Sequence, residues 1–193
     1  YAKNFATSVS LFYSGYNAGN FSYMYDGDMN QDGINNDLIY IPKSKDELTF
    51  VDKNGFTAEQ QAEAFWNYVN QDSYLKNHKG EYAKAYSARY PWVNQIDLKV
   101  VQDFIVKAEK TTNTLQVSLD IFNLGNLLKD TWGVTKVPIN SGRILKYEGV
   151  TADNVPTFSM YQSENKLPSE TFSYLKNSSN CWQIQVGIRY IFN

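Results

Sequence analysis

The chain has 193 residues, a formal charge of −2 and 16% aromatic residues, with Tyr 15 and Phe 11, yet its mean hydropathy is only −0.48 and its pI near 5.4. The acidic balance excludes the basic footprint of a nucleic-acid binder, the lone His78 excludes a multi-His metal site, and the lone Cys181 excludes an intrachain disulfide. No apolar run reaches the roughly 18 residues of a spanning helix, which leaves spanning strands open, and many rings diluted by many polar residues is the mixture such strands produce.

In chain order, the first element is an alternating segment near 5–13, where Phe5, Thr7, Val9, Leu11 and Tyr13 oppose Ala6, Ser8 and Ser10. The chain opens mid-pattern, with no initiator Met and no signal peptide, so it is predicted to be a processed product or a piece of a longer protein. A long insertion follows, near 14–92. It begins with Asp28-x-Asn30-x-Asp32-Gly33, then Asn35, Asn36 and Asp37. Oxygen-bearing side chains at alternate positions, with Gly after the third, suit a loop curled around Ca²⁺: Asp28, Asn30, Asp32 and Asp37 are the candidate side-chain ligands and Ile34 the carbonyl donor. Ile39 stands where an EF-hand would carry its bidentate Glu, so Asp37 would take that place from a shorter loop. The other reading of the same residues is a polar turn in which Asp and Asn cap their own backbone.

Further along the insertion, Thr57 and Gln60 read as a capping box, and Ala58, Ala62, Phe65 and Val69 recur on one face of a short amphipathic helix through Asn70. Trp66 and Tyr68 on that helix are expected in a core rather than at a ligand. Pro91 and Trp92 mark the entry of the second alternating segment, near 94–106, where Ile96, Leu98 and Val100 oppose Gln95, Asp97 and Lys99 before the pattern blurs. A short polar link near 108–113 leads to the third segment, near 114–123, where Leu115, Val117, Leu119 and Ile121 oppose Gln116, Ser118 and Asp120. A second long insertion, near 125–180, contains possible short strands at 143–147 and 157–162. The fourth segment, near 181–192, sets Trp182, Ile184, Val186, Ile188, Tyr190 and Phe192 against Gln183, Gln185, Gly187 and Arg189, with Ile191 alone out of pattern. At about 3.3 Å per residue and a tilt near 45°, this strand carries its aromatic ends about 23 Å apart along a membrane normal.

These segments predict an all-β fold in which about four strands belong to a large transmembrane antiparallel β-barrel. The short link would be a periplasmic turn and the two insertions long extracellular loops, the first containing the helix. Asp97, Lys99, Gln102, Asp103, Asp120 and Arg189 are assigned to the lumen side. Cys181, at the start of the last strand, is expected to be small and buried or lipid-near. The acidic residues lie mostly in loops without paired geometry and no Gly-rich phosphate cradle links a strand to a helix, so no enzyme is predicted.

Four phrases carry a more specific resemblance: YDGDMNQDGINNDLIYIP at 25–42, RYPWVNQIDL at 89–98, SLDIFNLGNL at 118–127 and WQIQVGIRYIF at 182–192. In this order they resemble the closing part of Oar-like TonB-dependent outer-membrane receptors. The last phrase also resembles the C-terminal assembly signal of outer-membrane barrels, with Asn193 as an added residue. The resemblance implies a C-terminal piece of a larger barrel in the outer membrane of a Gram-negative bacterium. Its partners would be the remaining barrel and internal plug, the lipid bilayer, the TonB energy-coupling system acting through an N-terminal part, and an extracellular ligand to be imported. Two rivals stand beside import: an adhesin or interaction scaffold on the same barrel, and a soluble calcium-stabilised β-sandwich.

Overall fold

The computed structural model describes residues 4–192. The chain is all-β with few helices, and among the described residues no helix is long and apolar enough to cross a membrane. It divides into two compact units, one built from the alternating segments and one from most of the two insertions.

The first unit is a four-stranded antiparallel sheet of β1 (Phe5–Asn17), β2 (Trp92–Ala108), β3 (Thr111–Phe122) and β4 (Gln183–Phe192), in the order β1-β2-β3-β4. Every connection therefore joins spatial neighbours. The β2–β3 link is tighter than the 108–113 turn read from sequence, because Ala108 still pairs with Thr111 and only Glu109 and Lys110 remain for the turn. Glu109 takes a positive φ of 29° there. The other two connections leave from the opposite end of the sheet, where Asn17 pairs with Trp92 and Phe122 with Gln183.

The pairing is continuous along each ladder, so the alternation of side chains holds from end to end. This corrects one assignment. Gln102 has the parity of Leu98 and Val100 and lies on the apolar face, opposite Thr7 and Val117, rather than with Lys99 and Asp103. Its amide is satisfied locally: the Thr7 hydroxyl donates to Gln102 Oε1 at 2.5 Å, and Gln102 Nε2 donates to the Ala6 carbonyl at 3.1 Å. Cys181, just before β4, is exposed, which removes the buried one of its two expected placements. A short helix that no periodicity announces, α2 (Leu124–Leu128), follows β3 directly. Its entry is made by Asn123 in the left-handed region (φ 53°), whose backbone N–H donates to Asp97 Oδ1 at 2.7 Å. Asn126 then closes the segment, donating to the Asp130 carbonyl and accepting from the Trp182 N–H. Gly133 is required beside it, since a Cβ there would meet Asn123 Oδ1 at 2.0 Å.

The second unit carries the hydrophobic core. Two strands, Leu145–Val150 and Pro156–Met160, form an antiparallel hairpin flanked in parallel by Tyr25–Asp26 and Thr49–Phe50. The helix α1 (Ala58–Gln71) starts at the capping box: Gln60 N–H donates to Thr57 Oγ1, and the Thr57 N–H donates to Gln60 Oε1. It buries Phe65, Tyr68 and Val69 among Phe50, Ile39, Ile41, Leu75, Ile144, Leu145 and Phe158. Gln61 is fully buried yet satisfied, donating to the Val51 carbonyl at 2.6 Å and accepting from the Met160 N–H at 2.8 Å. Tyr68 is a core residue, whereas Trp66 is partly exposed beneath the Lys79 ammonium, 4.2 Å from the ring centre.

Candidate functional site

The sheet of the first unit has two chemically distinct faces. On one, β1 to β4 align in rows that run Leu11, Leu98, Ile121, Ile184, then Val9, Val100, Leu119, Val186, then Thr7, Gln102, Val117, Ile188, then Phe5, Phe104, Leu115, Tyr190. Leu11 is 69% exposed, Val186 65% and Ile188 74%. Burying one such side chain is worth about 1.5–3 kcal/mol, so a face of this kind left in water forgoes many kcal/mol. Nothing within the unit covers it: among the described residues every buried apolar side chain but Val93 belongs to the second unit.

Aromatic groups close both ends of this face. At one end Phe5 and Phe104 meet edge to face at 5.6 Å, and the Tyr190 hydroxyl donates to Asn113 Oδ1 at 2.5 Å. At the other, the Tyr13 hydroxyl donates to Asn94 Oδ1 at 2.8 Å, beside an exposed Trp92. Rings with a polar tip and an apolar body suit a boundary between hydrocarbon and water.

The opposite face is polar and internally paired. Lys99 bridges Asp120 at 2.7 Å, and Gln116 Nε2 donates to Asp103 Oδ1 at 2.9 Å. Asp97 is spent on the Asn123 N–H. Arg189 stands opposite Gln116, and Gly187 opposite Ser118, whose hydroxyl would lie 2.6 Å from any Cβ placed there. Lys99, Gln116, Ser118, Asp120, Gln185 and Arg189 border an open depression of about 280 Å³. Of the side chains read as lumen-facing, the structure brings Asp97, Lys99, Asp103, Asp120 and Arg189 to this face and sets Gln102 on the other.

In the second unit, the candidate calcium residues form a loop closed by its own side chains. Asp28 accepts the Asp32 N–H at 3.2 Å on one oxygen and the Gly33 N–H at 2.7 Å on the other. Asn30 Oδ1 accepts the Asp32 N–H at 2.9 Å, and Asp32 Oδ1 accepts the Ile34 N–H at 2.8 Å. Asp37 turns one oxygen to the N–H groups of Met29 and Asn30, at 2.7 and 3.2 Å, and the Ile34 carbonyl accepts the Asn36 N–H at 3.1 Å. Gly33, at φ 90°, provides the left-handed turn that lets the loop curl back on Asp28. Asp28, Asn30 and Asp32 are thus drawn together, while Asp37 is engaged by the Met29 and Asn30 N–H groups. The donor types suit a hard cation, but among the described residues no three acidic, His or Cys side chains are grouped as a metal site requires. Asp28→Ala removes the acceptors of two N–H groups and should loosen the loop by about 1–2 kcal/mol. Faster proteolytic cleavage within 28–37 is the expected readout.

Titration in the second unit follows burial at Tyr23 and hydrogen bonding at Glu47. The Tyr23 phenol is pushed far above its usual range by burial, then by neighbouring Tyr68 and Asp72, and remains a donor to Asp72 Oδ2 at 2.8 Å. Glu47 is held below the usual carboxylate range by the Lys43 N–H and then by the Tyr40 hydroxyl, which donates to it at 2.9 Å.

No family model, curated protein or solved structure matches the chain.

Proposed function

We propose that the four-stranded sheet is the C-terminal part of a transmembrane β-barrel in a Gram-negative outer membrane, belonging to a TonB-dependent receptor that captures and imports a ligand. The observation that carries this reading is an uncovered apolar face, ended by rings, in a sheet without a core of its own. Lipid is the natural cover for such a face, and the paired polar groups opposite suit a wet or plugged lumen. Both outer edges of the sheet, on β1 and β4, lack a further strand among the described residues. In lipid each unpaired backbone group costs several kcal/mol, so the rest of the barrel would pair with these edges. The insertions leave from the end opposite the two-residue turn, which suits extracellular loops above a short periplasmic turn.

Fractionation tests the membrane part. The protein should stay in the membrane pellet after alkaline carbonate washing and enter solution only with detergent. Recovery in the aqueous phase would favour the soluble sandwich and sink the barrel. Import is separated from adhesion by energy: ligand accumulation should stop when the inner-membrane coupling system is removed, whereas an adhesin would keep its surface binding.

The Asp28–Asp37 loop is proposed to take one structural Ca²⁺. The hydrogen bonds that curl it already hold Asp28, Asn30 and Asp32 near one another, and each oxygen that accepts one N–H keeps a second lone pair. Millimolar calcium should slow proteolysis within 28–37 and a chelator should restore it. Cleavage rates indifferent to both would remove calcium while leaving the barrel proposal standing.

A further inference from the structure

A cleft of about 470 Å³ opens in the second unit beside the Asp28–Asp37 loop, with Tyr82, Met29 and Leu38 as its apolar wall and Asn30, Asn36 and Asp37 as its polar one. Its volume lies within the roughly 300–1,000 Å³ of small-ligand sites. Tyr82 is 66% exposed, yet it is not a loose surface ring. Its backbone bridges Tyr40, its ring meets that of Tyr40 edge to face at 5.4 Å, and Tyr40 is tied down through its hydroxyl to Glu47. The fold therefore holds an aromatic surface toward solvent rather than tucking it against the core.

The polar wall is held through Asp37 and through the backbone of Asn36. Asp37 is anchored through one oxygen by two N–H groups, and its other oxygen has no partner among the described residues. The Asn36 side chain makes no hydrogen bond among them either, although its backbone N–H is held by the Ile34 carbonyl. An amide and a carboxylate oxygen stand ready beside a presented ring, so the groups recognise a ligand with an apolar C–H face and a hydroxylated edge. Asp28 and Asp32 lie in the same loop, which disfavours phosphate or sulfate. The loop's backbone is occupied by its own turns, which leaves little ladder for an extended peptide.

We propose that this cleft binds a neutral oligosaccharide, with one sugar ring stacked on Tyr82 and its hydroxyls taken by Asn36 and Asp37. The assignment rests on the second unit alone and holds whether or not the sheet spans a membrane.

Isothermal titration of the full chain with maltohexaose, cellohexaose, mannohexaose and chitohexaose, with and without calcium, tests it. A sulfated oligosaccharide and a neutral hexapeptide serve as comparators. At least one neutral hexasaccharide should bind, Tyr82→Ala should weaken it tenfold or more, and Tyr82→Phe should stay within about threefold, since the ring and not the hydroxyl makes the stack. Asn36→Ala, an exposed position whose side chain supports no other group, should weaken binding severalfold without altering the fold. Absence of binding by all four sugars overturns the proposal. So does equal affinity in Tyr82→Ala, or binding confined to the sulfated sugar or the peptide.

Discussion

If the sheet is part of a membrane barrel as proposed, Val186→Arg should cost about 2–4 kcal/mol of stability, while Gln185→Arg, one residue earlier, should be nearly neutral. The two positions share a strand and a backbone environment, so the contrast isolates what each face touches. Val186 sits in the row of Val9, Val100 and Leu119, with apolar rows on either side of it. A guanidinium there meets hydrocarbon if lipid covers the face. Gln185 stands opposite Asp120, the acidic partner of Lys99, so an arginine there gains a carboxylate. Heat-modifiable gel mobility of the protein in membranes reads the result: a reduced folded fraction for Val186→Arg, and none of that loss for Gln185→Arg. If water covered the apolar face, Val186→Arg would be an ordinary surface change, within about 0.5 kcal/mol. Equal loss in both variants would remove the face assignment.

The strands were legible because a sheet with one polar and one apolar face writes period two into the sequence. Ile184, Val186 and Ile188 against Gln185 and Arg189 need no tertiary information to be read. Gln102 was misplaced where that signal fades: Val101 and Ile105 put apolar residues on the polar face, and Gln102 puts a polar residue on the apolar one. Backbone pairing without a bulge preserves parity through such a stretch, and composition does not report the pairing. The capping box of α1 was legible because its partners, Thr57 and Gln60, lie within one turn. The five-residue α2 was not, since it has no periodicity and depends on Asn123 adopting a left-handed backbone and on Asn126 reaching Trp182. The Asp28 loop was legible as a loop but double in meaning. The alternate spacing that offers oxygens to a cation also lets Asx side chains reach N–H groups two to five residues on, and those bonds are the ones present. That the insertions fold together was invisible, because the bonds that join them, such as the one from Thr171 to Asp72, link residues 99 apart.

That bond makes Asp72→Ala the second large effect expected, a loss of about 3–5 kcal/mol from the second unit. Asp72 lies at the C-terminus of α1, where a negative charge opposes the helix dipole at a cost of about 0.3–1 kcal/mol. Four donors outweigh that cost. Oδ1 accepts the N–H groups of Tyr74 and Leu75 at 2.9 and 2.8 Å, and Oδ2 accepts the hydroxyls of Tyr23 and Thr171 at 2.8 and 2.7 Å. Thr171 belongs to the second insertion and also accepts from Gln71 Nε2 at 2.9 Å, so one buried carboxylate fastens the end of α1 to a segment from the other half of the chain. Alanine would leave the Tyr23 and Thr171 hydroxyls buried without their acceptor, each at about 1–3 kcal/mol. Tyr68→Phe is the informative contrast. Among the described residues the Tyr68 hydroxyl is buried without a hydrogen-bond partner, so its removal should be neutral or stabilising by about 1 kcal/mol. Thermal unfolding followed by limited proteolysis within 19–90 and 136–173 distinguishes the two variants. An unchanged melting profile for Asp72→Ala would mean that the strand ladders, the Gln61–Met160 bond and apolar packing suffice to hold the two insertions together, and that the carboxylate only closes the end of its own helix.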